Sequence, residues 1–136
     1  AAVKNAGGRA MPLKVKGGFH SPFMKEASAA FRRELEGAQL SKTSIPVYAN
    51  KTAKPYFTDA ALQADAKDLL ASQIASPVQW ERTVRNMIAD GADTFVEIGP
   101  GETLCGMIKR IDGKARTYAV SDPAGLEKVK AEVAGC

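Results

Sequence analysis

The sequence predicts an α/β fold of about three parallel strands flanked by helices. Strand and helix patterns alternate along the chain after residue 16, an order typical of strands that are joined through helices. Residues 94–98 are almost continuously apolar, which favours a parallel strand covered on both of its faces. At 136 residues the chain could form one domain.

The first sixteen residues predict the end of a helix and then a strand. Gly7 and Gly8 would close the helix, since glycine accepts the left-handed conformation found at many helix ends. Apolar and polar side chains then alternate over residues 10–16, the pattern of a half-buried strand. Proline has no N–H group, so Pro12 favours an edge strand or the beginning of a strand.

A helix is predicted over residues 22–36, with Gly37 at its end. Ser21 can cap it, and Pro22 suits the first turn because the N–H that proline lacks would have no partner there. Apolar side chains recur every four residues and would form one buried stripe, at Phe23, Ala27, Phe31 and Leu35.

Residues 45–49 predict a short strand that ends at Asn50. The carboxyl ends of strands in open α/β sheets face the ligand crevice, which would give Asn50 a functional position. The other interpretation is that this asparagine only shapes the turn. A helix is then predicted over residues 58–74.

The next helix is predicted to begin at Ser76-Pro77. Ser76 and Gln79 have the spacing of a capping box, and Pro77 would take the first helical position. Trp80 continues the apolar stripe of this helix, which indicates a core position. Gly91 would close the helix.

The remainder predicts the strand 94–98, a helix, the strand 117–120 and a last helix that begins near Pro123. The turn 99–101, Gly-Pro-Gly, leads into the first of these helices. Such a turn can bind an anion at the positive end of a helix. No GxGxxG pattern or P-loop lysine accompanies it, so a structural tight turn is favoured.

Composition excludes several classes of protein. With 45% apolar and 25% charged residues, the chain has the composition of a soluble globular protein. No apolar run approaches the ~20 residues that span a membrane. The formal net charge is +4, but the basic residues are scattered and no aromatic-basic stripe indicates nucleic-acid binding. One histidine and two distant cysteines, Cys105 and Cys136, favour neither a disulfide framework nor a metal site.

His20 is the only histidine in the chain. Two glycines precede it and a helix start follows, so it lies at a predicted strand-to-helix junction, where functional residues are often placed. Histidine changes its charge near neutral pH and is the natural general base. The alternative is a structural histidine on a loop.

Four stretches resemble, in the same order, motifs of the malonyl-CoA:acyl carrier protein transacylases and related acyltransferase domains. Residues 17–24, GGFHSPFM, resemble the family's histidine motif. Residues 48–53, YANKTA, resemble its Asn-x-Thr-Ala stretch. Residues 76–80, SPVQW, resemble its Pro-Val-x-Trp helix start, and residues 97–101, EIGPG, its Glu-Ile-Gly-Pro-Gly turn.

The resemblance implies transfer of a malonyl group from CoA to the phosphopantetheine thiol of an acyl carrier protein through an acyl-serine ester. It also shows what is missing. No Gly-x-Ser-x-Gly nucleophile elbow occurs in this sequence, and in the family that elbow precedes the histidine motif. The chain therefore resembles the C-terminal half of the enzyme and is expected to be inactive alone. The missing N-terminal half becomes an expected partner.

Several residue roles are carried over from the resemblance. His20 is expected to be the general base, oriented by a backbone carbonyl near Gln73 rather than by a carboxylate. Phe19 is expected to narrow the acyl pocket against a methylmalonyl group, or else only to pack behind the histidine. Asn50 is expected to bind substrate. No metal and no cofactor are expected beyond the substrate malonyl-CoA.

Arg9, Lys14 and Lys16 are expected to meet the acidic carrier protein, although a solvated surface would explain each of them singly. The resemblance divides the chain into residues 1–16, the end of a ferredoxin-like small subdomain, and residues 17–136, part of the large, α/β-hydrolase-like acyltransferase subdomain. It implies a cytoplasmic protein without nucleic-acid or membrane partners. Two alternatives stay open: a domain fragment of a polyketide or fatty acid synthase, and a non-catalytic module that binds a carrier protein.

Overall fold

The computed structural model describes residues 2–11, 15–56 and 63–133. Short 3₁₀ turns lie at Pro22–Met24, Leu35–Gly37 and Gln73–Ala75. The helices are α1 (Ala2–Asn5), α2 (Lys25–Glu34), α3 (Gln63–Ser72), α4 (Trp80–Ala89), α5 (Thr103–Ile111) and α6 (Pro123–Val133), and the strands are β1 (Thr94–Ile98) and β2 (Arg116–Val120).

The two strands form a parallel sheet in which Thr94 pairs with Arg116 and Ile98 with Val120. Helix α5 connects them and packs against both strands, while α6 packs against β2. The α/β class with a parallel sheet flanked by helices is confirmed. The expected number of about three strands is wrong for the described part of the chain, which has two.

The core lies between α4, α5 and the sheet. Val84, Ile108 and Ala115 are buried together. The half-buried apolar side chains around them come from the same elements: Trp80, Ile88, Phe95 and Ile111. The prediction that Trp80 is a core residue is thus confirmed, because its position on α4 places it one turn before Val84 on the same face.

Segment 45–49 does not form the predicted strand. The chain reverses direction after Asn50, so this segment meets residues that follow it directly. Tyr48 makes one isolated antiparallel bridge, with Pro55, and Ala49 donates to the Lys54 carbonyl at 2.9 Å. The local turn therefore uses backbone N–H and C=O groups of this segment that would otherwise pair with a neighbouring strand.

The strand predicted over residues 10–16 is also absent from its described residues, 10, 11, 15 and 16. A strand needs a neighbour for its N–H and C=O groups, and no described strand pairs with this segment. The helix before it does end as predicted: Gly7 has φ +74°, and Gly8 donates back to the Val3 carbonyl at 2.8 Å. Gly91 closes α4 in the same way, with φ +102°.

Helix α2 buries two of the four predicted stripe residues, Phe31 and Leu35, and exposes the other two. Phe23 is 91% exposed and Ala27 is exposed as well. The side chains that turn inward are Met24, Ser28, Phe31 and Leu35. The 3₁₀ turn at the start explains the exposure of Phe23, because it winds three residues per turn and moves Phe23 off the 3.6-residue stripe.

Both predicted helix caps are wrong. The Ser21 hydroxyl makes no cap bond to the helix and donates to the Gly18 carbonyl instead. Helix α4 begins at Trp80, so Gln79 occupies the N-cap position and makes no side-chain cap. The Ser76 hydroxyl donates to the Ser72 carbonyl at 2.7 Å. The N–H groups that a cap would engage donate elsewhere: that of Met24 to the Ser21 carbonyl at 3.0 Å, and that of Gln79 to the Asn50 carbonyl at 2.8 Å.

Strand β1 is not covered on both faces within the described residues. Val96 is 42% exposed and Ile98 is 81% exposed, and the two point to the same side because strand side chains alternate. Leu104 and Met107 on α5 are each at least 40% exposed. Val96 and Ile98, here called the open apolar set, are unusual because parallel strands normally lie covered on both faces.

Candidate active site

His20 lies at the junction between the glycine pair and the 3₁₀ turn that leads into α2. Its backbone has φ +56°, a left-handed conformation in which histidine is one of the enriched non-glycine residues. The side chain is exposed. Its Nδ1 atom lies 3.1 Å from the carbonyl oxygen of Gln73, which is 53 residues further along the chain.

The Gln73 carbonyl is available because of Pro77. In a continuing α-helix the carbonyl of residue 73 would accept the N–H of residue 77, and proline has none. Ser76 precedes the proline and is extended, with φ −127° and ψ 150°, as residues before proline prefer. Helix α3 therefore stops, and the Gln73 carbonyl accepts only the Ser76 N–H, at 3.2 Å, and His20.

This contact determines which ring nitrogen carries the proton. A carbonyl oxygen can only accept, so the neutral ring must hold its proton on Nδ1 to make the bond. Nε2 is then the unprotonated nitrogen, able to accept a proton from a neighbouring hydroxyl. The group that bonds to the imidazole is thus a neutral backbone carbonyl at the end of α3, where the histidine of a Ser-His-Asp triad has a carboxylate.

Phe19 is 62% exposed and lies directly before the histidine. Its ring folds back over Gly17: a Cβ atom at Gly17 would lie 2.8 Å from Cε2 of the ring. Any larger residue at position 17 would displace the aromatic side chain. The glycine therefore sets the position of Phe19 beside His20.

Asn50 is an exposed residue in the turn between Tyr48 and Pro55. Its carbonyl accepts the Gln79 N–H at 2.8 Å, which ties this turn to the start of α4. The neighbouring Lys51 ammonium donates to the Ser72 hydroxyl at 3.1 Å. The turn thus lies against the same end of α3 that carries the Gln73 carbonyl.

Sequence reasoning missed two groups near that carbonyl. Ser28 of α2 donates to the Ala71 carbonyl at 2.8 Å, and the Tyr56 hydroxyl lies 3.4 Å from Oε1 of Gln73. No sequence signal points to either, because both contacts join segments that are distant along the chain. The proline at position 77 is the one local signal that could have singled out Gln73.

The expected carrier-protein residues lie in the N-terminal segment. Arg9 and Lys16 are exposed, and Lys14 lies outside the described residues. The structure gives neither of the described residues a contact with His20.

The carboxylate of Glu97, which lies on β1, binds the N–H groups at the start of α5. One oxygen accepts the Cys105 N–H at 2.8 Å and the other accepts the Leu104 N–H at 3.2 Å. The bond from the Cys105 N–H is the main cause that lowers the pKa of Glu97. This internal carboxylate takes the N–H groups that an outside anion would use, which supports the structural interpretation of the turn 99–101.

Across the described ranges, no three His, Cys, Asp or Glu side chains lie close enough to hold a metal ion. Within the same ranges, no helix has the length and apolarity needed to cross a membrane.

Comparisons of sequence and of structure with known proteins find relatives of the same kind. No family model matches the chain. It is 39% identical over 126 residues to the malonyl CoA-acyl carrier protein transacylase of Bacillus subtilis, covering 93% of this chain and 38% of that protein. The crystal structure of the transacylase from Clostridium perfringens superposes with a TM-score of 0.87 at 32% identity, covering 98% of this chain and 41% of the other.

A third relative is a structure described as a type II polyketide acyl-carrier protein in complex with its malonyl-transacylase. It matches with a TM-score of 0.84 at 34% identity, over 95% of this chain and 41% of that chain. The chain thus spans about two fifths of the length of the relatives it matches. Sequence identity and backbone geometry agree over nearly all of its residues, and the chain matches the C-terminal part of malonyl CoA-acyl carrier protein transacylases.

Proposed function

We propose that this chain supplies the general base of a malonyl-CoA:acyl carrier protein transacylase, and that His20 is that base. The observation that carries the proposal is the 3.1 Å contact between His20 Nδ1 and the Gln73 carbonyl. It leaves Nε2 as the proton acceptor, with a backbone carbonyl rather than a carboxylate bonded to Nδ1. A histidine with an ordered tautomer, next to an exposed aromatic residue at a helix start, is what proton transfer to and from a bound thioester needs.

The chemistry requires a serine that this sequence lacks in the usual Gly-x-Ser-x-Gly setting. Nε2 of His20 takes the proton of that serine hydroxyl while the serine oxygen attacks the malonyl thioester carbonyl. The C–S bond breaks, and His20 returns the proton to the departing CoA thiolate. The carrier thiol then gives its proton to His20, its sulfur attacks the malonyl-serine ester, and the serine oxygen leaves and recovers the proton.

The relatives support the rest of the assignment. Proteins similar to this chain over more than nine tenths of its length are named as malonyl transacylases, and one was solved with an acyl-carrier protein. We therefore propose malonyl-CoA as substrate, an acyl carrier protein as partner, a cytoplasmic location and no bound cofactor. The synthase-domain and non-catalytic alternatives are less favoured. The division at residue 16 into a small and a large subdomain stays a proposal.

The test is a fusion enzyme: the N-terminal part of the Bacillus subtilis relative, up to the region that this chain matches, joined to this chain. Transfer is measured as the mass increase of holo acyl carrier protein incubated with malonyl-CoA. We expect malonylation by the fusion enzyme and none by its N-terminal part alone. A folded, monodisperse fusion enzyme that malonylates no carrier protein would contradict the proposal.

Substituting Phe19 with serine in the fusion enzyme should relax its selectivity toward methylmalonyl-CoA. Removing an aromatic ring beside the base makes room for one methyl group, a difference worth roughly 1–3 kcal/mol, or about 10- to 200-fold in the ratio of the two kcat/KM values. Phe23→Ser is the matched control, because that ring is 91% exposed four residues further on. An unchanged ratio for Phe19→Ser would leave Phe19 with a structural role alone.

We also propose that Arg9, Lys14 and Lys16 attract the acidic carrier protein. Replacing all three with glutamate should raise KM for the carrier protein in the fusion enzyme and leave hydrolysis of malonyl-CoA unchanged. The defect should shrink at high ionic strength, since attraction between exposed charges is screened beyond about 10 Å at 0.1 M salt.

The same change of charge at Lys114, Lys128 and Lys130 serves as the control for net charge. These lysines lie after α5 and on α6, away from the N-terminal segment in sequence. If both triple variants weaken carrier use equally, net charge alone is responsible and the docking assignment is wrong. If the first variant loses hydrolysis as well, it is misfolded rather than defective in docking.

A further inference from the structure

Two carbonyls at the end of α3 accept hydrogen bonds from serine hydroxyls. The last four carbonyls of an α-helix have no partner within the helix. Ser72 and Gln73 find theirs locally, through the Ser76 hydroxyl at 2.7 Å and the Ser76 N–H at 3.2 Å. Ala71 is buried, and its carbonyl accepts the hydroxyl of Ser28 on α2 at 2.8 Å.

Ser28 is unusual in donating to another helix. A serine within a helix commonly bonds to a carbonyl of its own preceding turn. Here the half-buried hydroxyl reaches across to a residue 43 positions away. Ser28 lies eight residues after His20, on the helix that the turn Pro22–Met24 leads into, and its acceptor lies two residues before Gln73.

We propose that Ser28 is a positioning residue that holds the Gln73 carbonyl at hydrogen-bonding distance from His20. His20 enters α2 through the turn Pro22–Met24, and Gln73 leaves α3 through the turn Gln73–Ala75. The Ser28–Ala71 bond joins these two parts of the chain beside the His20–Gln73 contact. Without it the buried Ala71 carbonyl loses its donor from α2, and the turn that carries the Gln73 carbonyl is free to shift relative to the imidazole. This inference rests on the proposed role of His20.

A second link between the same helices provides a control. Arg32 lies one turn after Ser28 and pairs with Asp68, one turn before Ala71. Both side chains are partly exposed, so the pair contributes little to stability. It is also further from His20 along α2 than Ser28 is. Arg32→Ala therefore removes an inter-helix contact without touching the Ala71 carbonyl.

The tautomer of His20 is the readout, because a merely structural role for Ser28 would not change it. His20 is the only histidine, so ring ¹⁵N signals from the full chain, labelled at histidine, belong to it alone. At about pH 9, where an ordinary imidazole is neutral, we expect an excess of the Nδ1–H form in the unmodified chain. Ser28→Ala should move the signals toward a mixture of both tautomers. Ser28→Thr, which keeps the hydroxyl, and Arg32→Ala should both retain the excess.

The outcomes separate this inference from the proposed function. An unmodified chain without excess Nδ1–H would overturn the role of the Gln73 carbonyl, and with it the proposed geometry of His20. An unmodified chain with the excess, and a folded Ser28→Ala chain that keeps it, would overturn the role of Ser28 alone. If Ser28→Ala does not fold, Ser28→Cys replaces it. The cysteine thiol is a weaker donor and should shift the tautomers partially; no shift counts against the inference.

In the fusion enzyme, Ser28→Ala should lower kcat, by up to about 10²-fold as for a 1 Å misplacement, with KM for malonyl-CoA unchanged.

Discussion

Replacing His20 with asparagine is expected to lower kcat for malonyl transfer by the fusion enzyme by about 10²–10⁴-fold, the range typical of a general base. Asparagine tolerates the left-handed backbone that His20 adopts, with φ +56°. Its side-chain amide can still donate to the Gln73 carbonyl, but it has no nitrogen that accepts a proton. The variant thus removes the base and keeps the turn. Transfer is measured by the mass increase of the carrier protein.

Two further variants separate chemistry from folding. His20→Ala should be as inactive as His20→Asn and less stable, because alanine is strained at positive φ. Lys25→Ala changes an exposed side chain at the start of α2 and should transfer at the unmodified rate. A loss below about tenfold in His20→Asn would contradict the role of His20 as general base.

The chain alone is expected to transfer no malonyl group and to be poorly stable as a monomer. A general base without its serine has nothing to deprotonate. Within the open apolar set, Ile98 is 81% exposed and Val96 is 42% exposed. The described sheet has only two strands. Unpaired strand edges and exposed apolar side chains favour association with another polypeptide.

Adding the separately produced N-terminal part of the Bacillus subtilis relative should restore partial transfer and give a complex of defined mass in sedimentation. Ile98→Lys should abolish this association while leaving the secondary structure of the chain unchanged, because it places a charge in the open apolar set. Lys128→Ala on α6 is the exposed control. Transfer at an ordinary rate by the chain alone would overturn the assignment of a missing nucleophile and with it the proposed function.

The order of elements could be predicted well from local patterns. Strands β1 and β2, helices α4 to α6 and the core position of Trp80 follow from apolar periodicity and glycine punctuation, which act over a few residues. The histidine motif and three further motifs identified the family for the same reason, since each is a short run of residues that needs no knowledge of the fold.

Predictions that depended on a partner in space were less accurate. Whether residues 45–49 form a strand depends on a neighbouring strand. Here the segment pairs instead with the residues that follow it, through the single bridge between Tyr48 and Pro55. Ser21 and Ser76 have good capping sequences, yet neither caps a helix, and the Gln79 N–H that Ser76 would accept donates to the distant Asn50 carbonyl instead. The buried stripe of α2 was predicted correctly at Phe31 and Leu35 but not at Phe23, which lies in the 3₁₀ turn before the helix.

The sequence by itself determined which residue could act as a base, since the chain holds a single histidine, and Pro77 determined that the carbonyl of residue 73 would lack its helical partner. Only the tertiary structure decided that these two groups meet, and that Ser28 lies beside their contact. The physical reason is separation along the chain: the His20–Gln73 contact spans 53 residues and the Ser28–Ala71 bond spans 43. Contacts of that range are set by how α2 packs on α3, and local propensity carries no information about that packing.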